Sequence, residues 1–215
     1  MTAAGYRILT MGDSALTVEF AGKIDEATNQ RVQSLYRLVL DSGLRGVRSV
    51  IPSYRSLTLR FDPAHFAVEE LEHLLANVNP EAGRRGRLFT IPVVYGGEAG
   101  PDLTVVAQRC GLTPEEVVRR HTAVEYRVYM IGFLPGFPYL GGLDTRLVLP
   151  RRETPLARIP GGSVAIAGEQ AGIYPLDSPG GWWVLGRTSI QLFDPGRASP
   201  ALLAPGDRVR FEAVS

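Results

Sequence analysis

The spacing of hydrophobic positions in the first part of the chain predicts a small sheet covered by helices. Short alternating runs predict strands at residues 6–9, 16–20, 47–51 and 56–61. Hydrophobic residues at helical spacing predict one helix capped by Asp25 and ended by Gly43, and a second from about Val68 to Val78. A strand at 88–95 is expected to complete the sheet, with both helices on one face, an α+β layer arrangement.

The second part of the chain has a different pattern. Only 7 of the 24 glycines and 3 of the 16 prolines precede residue 90, so turns concentrate after it. Two short helices are predicted, one ended by Gly111 and one begun by a capping box of Thr113 and Glu116. Strands are then predicted at 126–131, 163–167, 182–186, 189–193 and 208–212. Their spacing suits an antiparallel barrel, so we predict two domains, 1–88 and 89–215.

Composition narrows the functional classes. With 45% hydrophobic and 21% charged residues, the chain can bury a core, and a net charge of +1 disfavours nucleic acid as a partner. No apolar run is long enough for a membrane span, and the first residues do not resemble a secretory leader. Cys110 is the only cysteine, which suits a reducing compartment. We therefore expect a cytoplasmic protein that binds neither membranes nor nucleic acid.

Most familiar catalytic motifs are absent, and no metal site is predicted. His121 is the histidine that stands out, because it falls on the inward face of the second short helix, near its C-terminus. The helix dipole there favours the protonated ring, so His121 is a candidate proton donor or anion ligand. The alternative, a hydrogen-bonded histidine that closes the helix, stays open.

Three turn-rich stretches are candidate ligand-binding loops. Residues 132–142 place Phe133, Phe137 and Tyr139 among prolines and glycines, which predicts a stiff aromatic wall for a small ligand. The alternative is a hairpin that plugs one end of the barrel. In the second stretch, 158–163, consecutive glycines offer backbone N–H groups to an anion, and Arg158 is suited to clamp a carboxylate. The third stretch, 174–183, is similar and ends in two tryptophans.

Together these segments resemble the KipI/PxpB family, the B-type subunits of 5-oxoprolinase, which by older naming are allophanate hydrolase subunit 1. The matches cover nearly the whole chain, at residues 12–20, 52–57, 91–103, 121–142, 160–182, 186–188 and 193–195. Two residues depart from the family pattern. Ala171 stands where threonine is usual and Ser189 where proline is usual, and the first change removes a possible hydroxyl contact beside Gln170.

The resemblance implies an α+β N-terminal domain with a ferredoxin-like layer, followed by an all-β cyclophilin-like barrel. It implies a subunit of a complex that opens 5-oxo-L-proline to L-glutamate with ATP hydrolysis, inactive without its partners. These would be a homologous larger subunit (PxpC/KipA-like) and a third subunit (PxpA-like). ATP, with Mg, would be a co-substrate, and no tightly bound cofactor is expected.

On this resemblance, the predicted catalytic residues are His121, Tyr129 and Arg158. The predicted substrate-binding residues are Phe133, Pro135, Phe137, Gly162, Ser163, Gln170, Tyr174 and Trp182. We expect these turns to converge on a cavity at one end of the barrel.

Two alternatives remain. Some family members are described as inhibitors of a sensor histidine kinase, and a docking surface needs no catalytic motif. Hydrolysis of allophanate by this chain alone is less favoured, because it would need a serine activated by a lysine. The sole lysine, Lys23, lies in the predicted small domain.

Overall fold

The computed structural model describes residues 5–20, 25–79 and 86–215, so Lys23 lies outside the described residues. The chain forms two compact units, divided between Arg85 and Gly86. The boundary predicted from sequence was between residues 88 and 89.

The first unit is a four-stranded antiparallel sheet with two helices. Its elements are β1 (Tyr6–Thr10), β2 (Ala15–Phe20), α1 (Glu26–Ser42), β3 (Val47–Pro52), β4 (Ser56–Phe61) and α2 (Val68–Ala76). The sheet order is β1-β2-β4-β3. Asp25 caps α1 by accepting from the backbone N–H of Thr28, and Gly43 ends it in the left-handed region, as predicted.

Hydrophobic side chains from both layers form the core of this unit. In the sheet, Leu16 lies opposite Leu59 and Val18 opposite Leu57, and all four are buried. Helix α1 adds Leu35, and the other helix contributes its own buried leucines. The predicted α+β layer is therefore confirmed.

The second unit is a closed barrel with two helices. Its elements are β5 (Leu88–Tyr95), α3 (Leu103–Cys110), α4 (Pro114–Thr122), β6 (Tyr126–Ile131), β7 (Pro138–Gly141), β8 (Leu156–Ile159), β9 (Ser163–Ala167), β10 (Gln170–Ile173), β11 (Ser178–Gly180), β12 (Trp183–Arg187) and β13 (Arg208–Val214). Seven strands close in the order β10-β7-β6-β13-β5-β12-β9. All neighbours are antiparallel except β13 and β5. Strands β8 and β11 pair separately as a two-stranded ribbon, here called the ribbon.

Two strand predictions were wrong. The strand at 88–95 has the predicted bounds, but it joins the barrel, where β12 and β13 bond both its edges. Residues 189–193 form no strand. The Thr188 hydroxyl accepts from the backbone N–H of Ile190, a local turn that competes with a strand, and only Phe193 makes an isolated bridge.

The two faces of the barrel wall carry different clusters. Every barrel strand contributes to one buried cluster, with Ile91, Val93, Tyr126, Val128, Leu140, Val164, Ile166, Ala171, Ile173, Trp183, Leu185, Val209 and Phe211. Only the lumen brings one face of all seven strands together, so this cluster fills the lumen. Ala165 and Val184 alternate with lumen residues and pack outside, against Ile159 of the ribbon. Ala171, which stands where threonine is usual in the family, therefore faces the lumen.

Helices α3 and α4 are the two short helices predicted from sequence. Gly111 ends α3 in the left-handed region, and Thr113 and Glu116 form the capping box that begins α4. Burial raises the pKa of the Cys110 thiol, the opposite of what a nucleophilic cysteine needs. In the described ranges, no helix combines the length and apolar character that crossing a membrane requires.

Candidate ligand cleft on the barrel wall

A cleft of about 230 Å³ lies on the outer wall of the barrel, beside the ribbon. It is here called the aromatic cleft. Its lining residues are Phe133, Phe137, Tyr139, Arg151, Pro155, Tyr174, Pro179, Gly180, Gly181 and Trp182. Four predicted substrate-binding residues thus come together, namely Phe133, Phe137, Tyr174 and Trp182. We expected a site at one end of the barrel. The aromatic cleft instead lies on the outer wall, because Phe137, Tyr174 and Trp182 cluster with Ala165 and Val184 outside the lumen.

Phe137 is the centre of the aromatic cleft. It is 1% exposed, and the rings around it meet it edge to face. The centroid distances are 4.9 Å to Tyr139, 5.2 Å to Tyr174, 5.5 Å to Trp182 and 5.6 Å to Phe133. Edge-to-face pairs at this spacing are favourable and hold each ring in one orientation. The wall is therefore rigid before any ligand arrives.

Two glycines make room for these rings. A Cβ on Gly172 would lie 2.7 Å from Cζ of Phe137 and 2.9 Å from Cζ3 of Trp182. A Cβ on Gly180 would lie 2.3 Å from the hydroxyl oxygen of Tyr174. Any larger residue would displace a ring, so glycine at both positions is a packing requirement of the aromatic cleft.

The loop before Phe137 holds Phe133 at the rim. The backbone N–H of Leu134 donates to the carbonyl of Gly132 at 2.8 Å, and Phe133 between them has a φ of 68°. This is a γ-turn of the strained, positive-φ kind. Two further hydrogen bonds join Phe137 to Leu134 and to Gly132 and close the loop. The turn projects the Phe133 ring outward, so that it is 59% exposed while still contacting Phe137 and Tyr174.

Arg151 gives the aromatic cleft its charge. Of the described residues that line it, Arg151 alone has a charged side chain, and its guanidinium carbon lies 5.8 Å from the centroid of Trp182. Burial raises the pKa of Tyr174 to about 12, even though a backbone hydrogen bond from Trp182 and the charge of Arg151 lower it. Burial likewise raises the pKa of Tyr139. At neutral pH, both phenols are therefore protonated beside one cation.

His121 lies elsewhere, in the lumen. It is fully buried, it stacks on Phe211 at 4.6 Å between centroids, and its Nδ1 lies 2.7 Å from the hydroxyl of Tyr95. Burial lowers the pKa of His121 to about 3. The expectation of a protonated ring was wrong, because desolvation outweighs the helix dipole here. The alternative, a hydrogen-bonded histidine closing the helix, describes what is seen.

Arg158 also lies outside the aromatic cleft. Its guanidinium makes two hydrogen bonds, of 2.9 and 2.6 Å, to one carboxylate oxygen of Asp177. The other oxygen of Asp177 accepts from the backbone N–H of Gly161. Arg158 does clamp a carboxylate, but that carboxylate belongs to the same chain. The pair is exposed, which limits its contribution to stability.

Five further predicted site residues do not line the aromatic cleft: Tyr129, Pro135, Gly162, Ser163 and Gln170. The ring of Tyr129 covers Gly141, and Pro135 is exposed in the loop that follows Phe133. Ser163 is buried in β9, and Gln170 is half-buried at the start of β10. Gly162 lines a separate, more open groove of about 540 Å³. The sequence grouped these residues because they lie near turns. In the fold they fall on different strands and loops.

Sequence reasoning missed Arg151 and Pro155. Both lie in an irregular segment without periodicity or a recognisable motif, and tertiary hydrogen bonds bring that segment to Trp182. The available signal was chemical, an arginine between two prolines in a turn-rich region. In the part of the chain that is described, no three His, Cys, Asp or Glu side chains group closely enough to hold a metal ion.

Comparison with known proteins identifies the family. The Carboxyltransferase domain, subdomain C and D family matches residues 6–203. The B-type 5-oxoprolinase subunit of Bacillus subtilis (strain 168) is 40% identical over 224 residues, covering 98% of this chain and 93% of that protein. The B-type 5-oxoprolinase subunit of Escherichia coli O157:H7 is 42% identical over 212 residues, covering 95% of this chain and 94% of that protein.

A solved structure agrees. TTHA0988 superposes with a TM-score of 0.85 at 40% identity, covering 94% of this chain. This chain spans only 40% of the length of TTHA0988. The chain therefore belongs to the Carboxyltransferase domain, subdomain C and D family, and within it to the B-type 5-oxoprolinase subunits (KipI/PxpB) that its sequence resembles.

Proposed function

We propose that this chain is a subunit of an ATP-dependent 5-oxoprolinase and that its aromatic cleft binds 5-oxo-L-proline. The near full-length similarity to two proteins named as 5-oxoprolinase subunits supports the first part. The observation that carries the second is the combination, in one small cleft, of a rigid aromatic wall with a single arginine. Because those relatives are named as subunits, partner subunits are proposed for this chain too.

The ligand matches the cleft in size and charge. 5-Oxo-L-proline is a five-membered lactam with one carboxylate. A volume of about 230 Å³ suits one small ring, because sites for drug-sized ligands usually enclose ~300–1,000 Å³. The aromatic wall would cover the ring faces, and Arg151 would take the carboxylate in a charge-assisted hydrogen bond.

The tyrosines supply donors for the lactam. Because the pKa of Tyr174 is raised to about 12, its hydroxyl keeps its proton at neutral pH and can donate to the lactam oxygen. Negative charge develops on that oxygen when the ring carbon is attacked, so a donor placed there stabilises the transition state. The partly buried aromatic wall would limit access of bulk water to the ring.

The aromatic cleft does not fit a nucleoside triphosphate. It holds one arginine, and a triphosphate carries several negative charges that usually meet several cations or a metal ion. We therefore propose no role for the aromatic cleft in binding ATP. We expect the nucleotide to bind together with the partner subunits, a larger homologous subunit and a third one.

Calorimetry of the purified chain tests the binding proposal. We expect 5-oxo-L-proline to bind in a one-to-one ratio, and 2-pyrrolidone, the same lactam without the carboxylate, to bind at least ~10-fold more weakly, since a hydrogen bond to a charged group contributes about 1.5–3 kcal/mol. No binding of 5-oxo-L-proline, or equal binding of both lactams, would reject the proposal for this cleft.

Affinity purification from the native host tests the subunit proposal. The material recovered with this chain is expected to form glutamate from 5-oxo-L-proline only when ATP is present, while the chain alone forms none. Recovery of the chain without partners, or glutamate formation without ATP, would contradict it.

A further inference from the structure

The segment Pro150–Arg152, here called the strap, carries Arg151 and is fixed on both sides of it. The indole N–H of Trp183 donates to the carbonyl of Pro150 at 2.8 Å. The backbone N–H of Arg152 donates to the carbonyl of Gly181 at 2.9 Å. These two bonds tie the neighbours of Arg151 to the neighbours of Trp182. Arg151 is thereby held opposite Trp182, at the mouth of the aromatic cleft.

The side chain of Arg152 fastens the strap to the barrel through Asp102. The guanidinium of Arg152 hydrogen-bonds to one carboxylate oxygen of Asp102, and their side chains are 20% and 7% exposed. The other oxygen accepts from the backbone N–H of Val184 at 2.8 Å, and the Asp102 N–H donates to the Val184 carbonyl at 3.0 Å. Asp102 is therefore fixed to β12 at two points.

Asp102 is placed for this contact and not for helix capping. It stands at the N-cap of α3, but its side chain makes no capping hydrogen bond. The loop before it runs so close to β12 that a Cβ on Gly100 would lie 1.9 Å from the carbonyl oxygen of Leu185. Asparagine or aspartate at an N-cap usually accepts from a backbone N–H of the first helical turn. The Asp102 carboxylate instead bonds β12 and Arg152, so its role lies in that contact.

Two arginines contact Trp183, and only one holds the strap. The guanidinium carbon of Arg152 lies 4.3 Å from the ring centroid of Trp183, and that of Arg109 lies 4.9 Å from it. Only Arg152 pairs with Asp102. Arg109 is thus a matched control, because its loss removes a similar cation–π contact and the same charge.

We propose that Asp102 and Arg152 are positioning residues that fix Arg151 over Trp182 and so give the aromatic cleft its preference for a carboxylate. This rests on the proposed binding of 5-oxo-L-proline. Holding the strap in place lowers the entropy lost when Arg151 is ordered on binding an anion. Without the Asp102–Arg152 pair, Arg151 would keep its charge but would no longer be held over Trp182.

The test compares Arg152→Ala with Arg109→Ala for two ligands. For Arg152→Ala we expect the calorimetric Kd of 5-oxo-L-proline to rise about five- to tenfold, the size expected for ordering one long side chain. The Kd of 2-pyrrolidone should change less than about twofold, since it has no carboxylate to place. Arg109→Ala should leave both within about twofold. Arg152→Lys, which can still pair with Asp102, should lose less affinity for 5-oxo-L-proline than Arg152→Ala.

Two measurements separate positioning from a general structural effect. In Arg151→Ala, a further Arg152→Ala change should add no loss of 5-oxo-L-proline affinity, because there is no longer a guanidinium to place. Equal weakening of both ligands, or additive losses, would overturn the proposal. A crystal structure of Arg152→Ala gives a ligand-independent answer. Arg151 displaced from Trp182 supports positioning even if the chain binds no 5-oxo-L-proline, and an unmoved Arg151 overturns it.

Discussion

Two aromatic clusters occupy opposite faces of the same barrel wall, and they differ in solvent exposure and in charge. The lumen cluster, Tyr95, His121, Tyr126 and Phe211, packs rings at 4.6–5.7 Å between centroids around a histidine that no solvent reaches. The aromatic cleft packs rings at similar distances, but it exposes Phe133 and carries a cation. Ring packing alone therefore does not distinguish a core from a binding site.

The difference lies in solvent access and charge. In the lumen, desolvation keeps His121 neutral, and its hydroxyl partner Tyr95 is also buried, so the pKa of that phenol is raised. In the aromatic cleft, the exposed guanidinium of Arg151 lies beside phenols whose pKa is raised by burial. A polar group sealed in a core serves packing, whereas a cation at an open aromatic wall can bind an anion.

Removing a lumen ring should have the largest effect. Phe211 is 1% exposed and contacts both His121 and Tyr126. Phe211→Ala is expected to lower the free energy of unfolding by about 3–5 kcal/mol, as for other buried aromatic truncations. Urea denaturation measures this. A loss under ~1 kcal/mol would mean that the lumen is not tightly packed.

Removing the cleft cation should have the next largest effect. Arg151→Ala is expected to weaken 5-oxo-L-proline binding about 10- to 100-fold, because a hydrogen bond to a charged group is lost, and to leave stability nearly unchanged. Arg158→Ala, the same charge change at the Asp177 pair, should weaken binding less than about threefold. Calorimetry on both variants decides between the two arginines. A larger loss of affinity in Arg158→Ala would indicate that the ligand binds at the turn predicted from sequence, residues 158–163.

The neutral histidine should make stability depend on pH. In the unfolded chain, His121 titrates near its ordinary pKa of 6.5, while burial lowers the folded pKa to about 3. Between these values the unfolded chain binds more protons, so this stabilisation is present above pH 6.5 and is lost as pH falls. From pH 7 to pH 5 the native chain should lose about 2 kcal/mol more unfolding free energy than His121→Phe. If the unfolding free energies of the two proteins fell equally between pH 7 and pH 5, a buried neutral imidazole would be contradicted.

Removing the rim ring should have the smallest effect on stability. Phe133→Ala is expected to change the unfolding free energy by less than about 0.5 kcal/mol, as for other exposed positions. The same change should weaken 5-oxo-L-proline binding about threefold to tenfold, because part of the apolar surface that covers the lactam is lost. Urea denaturation and calorimetry on one preparation measure both. A stability loss like that of Phe211→Ala would show that Phe133 belongs to a core.

Local rules predicted most elements but not every partner. The caps at Asp25 and Thr113 and the bounds of β4, β6 and β9 follow from side-chain chemistry within a few residues. The assignment of 88–95 to the small sheet failed, because strand pairing depends on which edges are available in three dimensions. The strand predicted at 189–193 failed for a local reason, because the Thr188 hydroxyl bonds the backbone N–H of Ile190 and a turn forms there.

For the candidate site, the sequence indicated the aromatic residues and missed the cation. Prolines and glycines near Phe133, Phe137 and Trp182 mark a preformed wall, and that signal is local. Arg151 is brought to Trp182 by hydrogen bonds across a long sequence separation, which no spacing rule encodes. His121 was predicted to face inward, and it does, but the extent of its burial depends on β13, which follows much later in the chain.

A crystal structure of the chain with 5-oxo-L-proline would test the central proposal most directly. We expect the lactam ring against Phe137 and Trp182, with its carboxylate about 2.7–2.9 Å from the guanidinium of Arg151, the usual length of such bonds. A ligand bound at the Arg158 turn or in the more open groove at Gly162, with the aromatic cleft empty, would contradict the account.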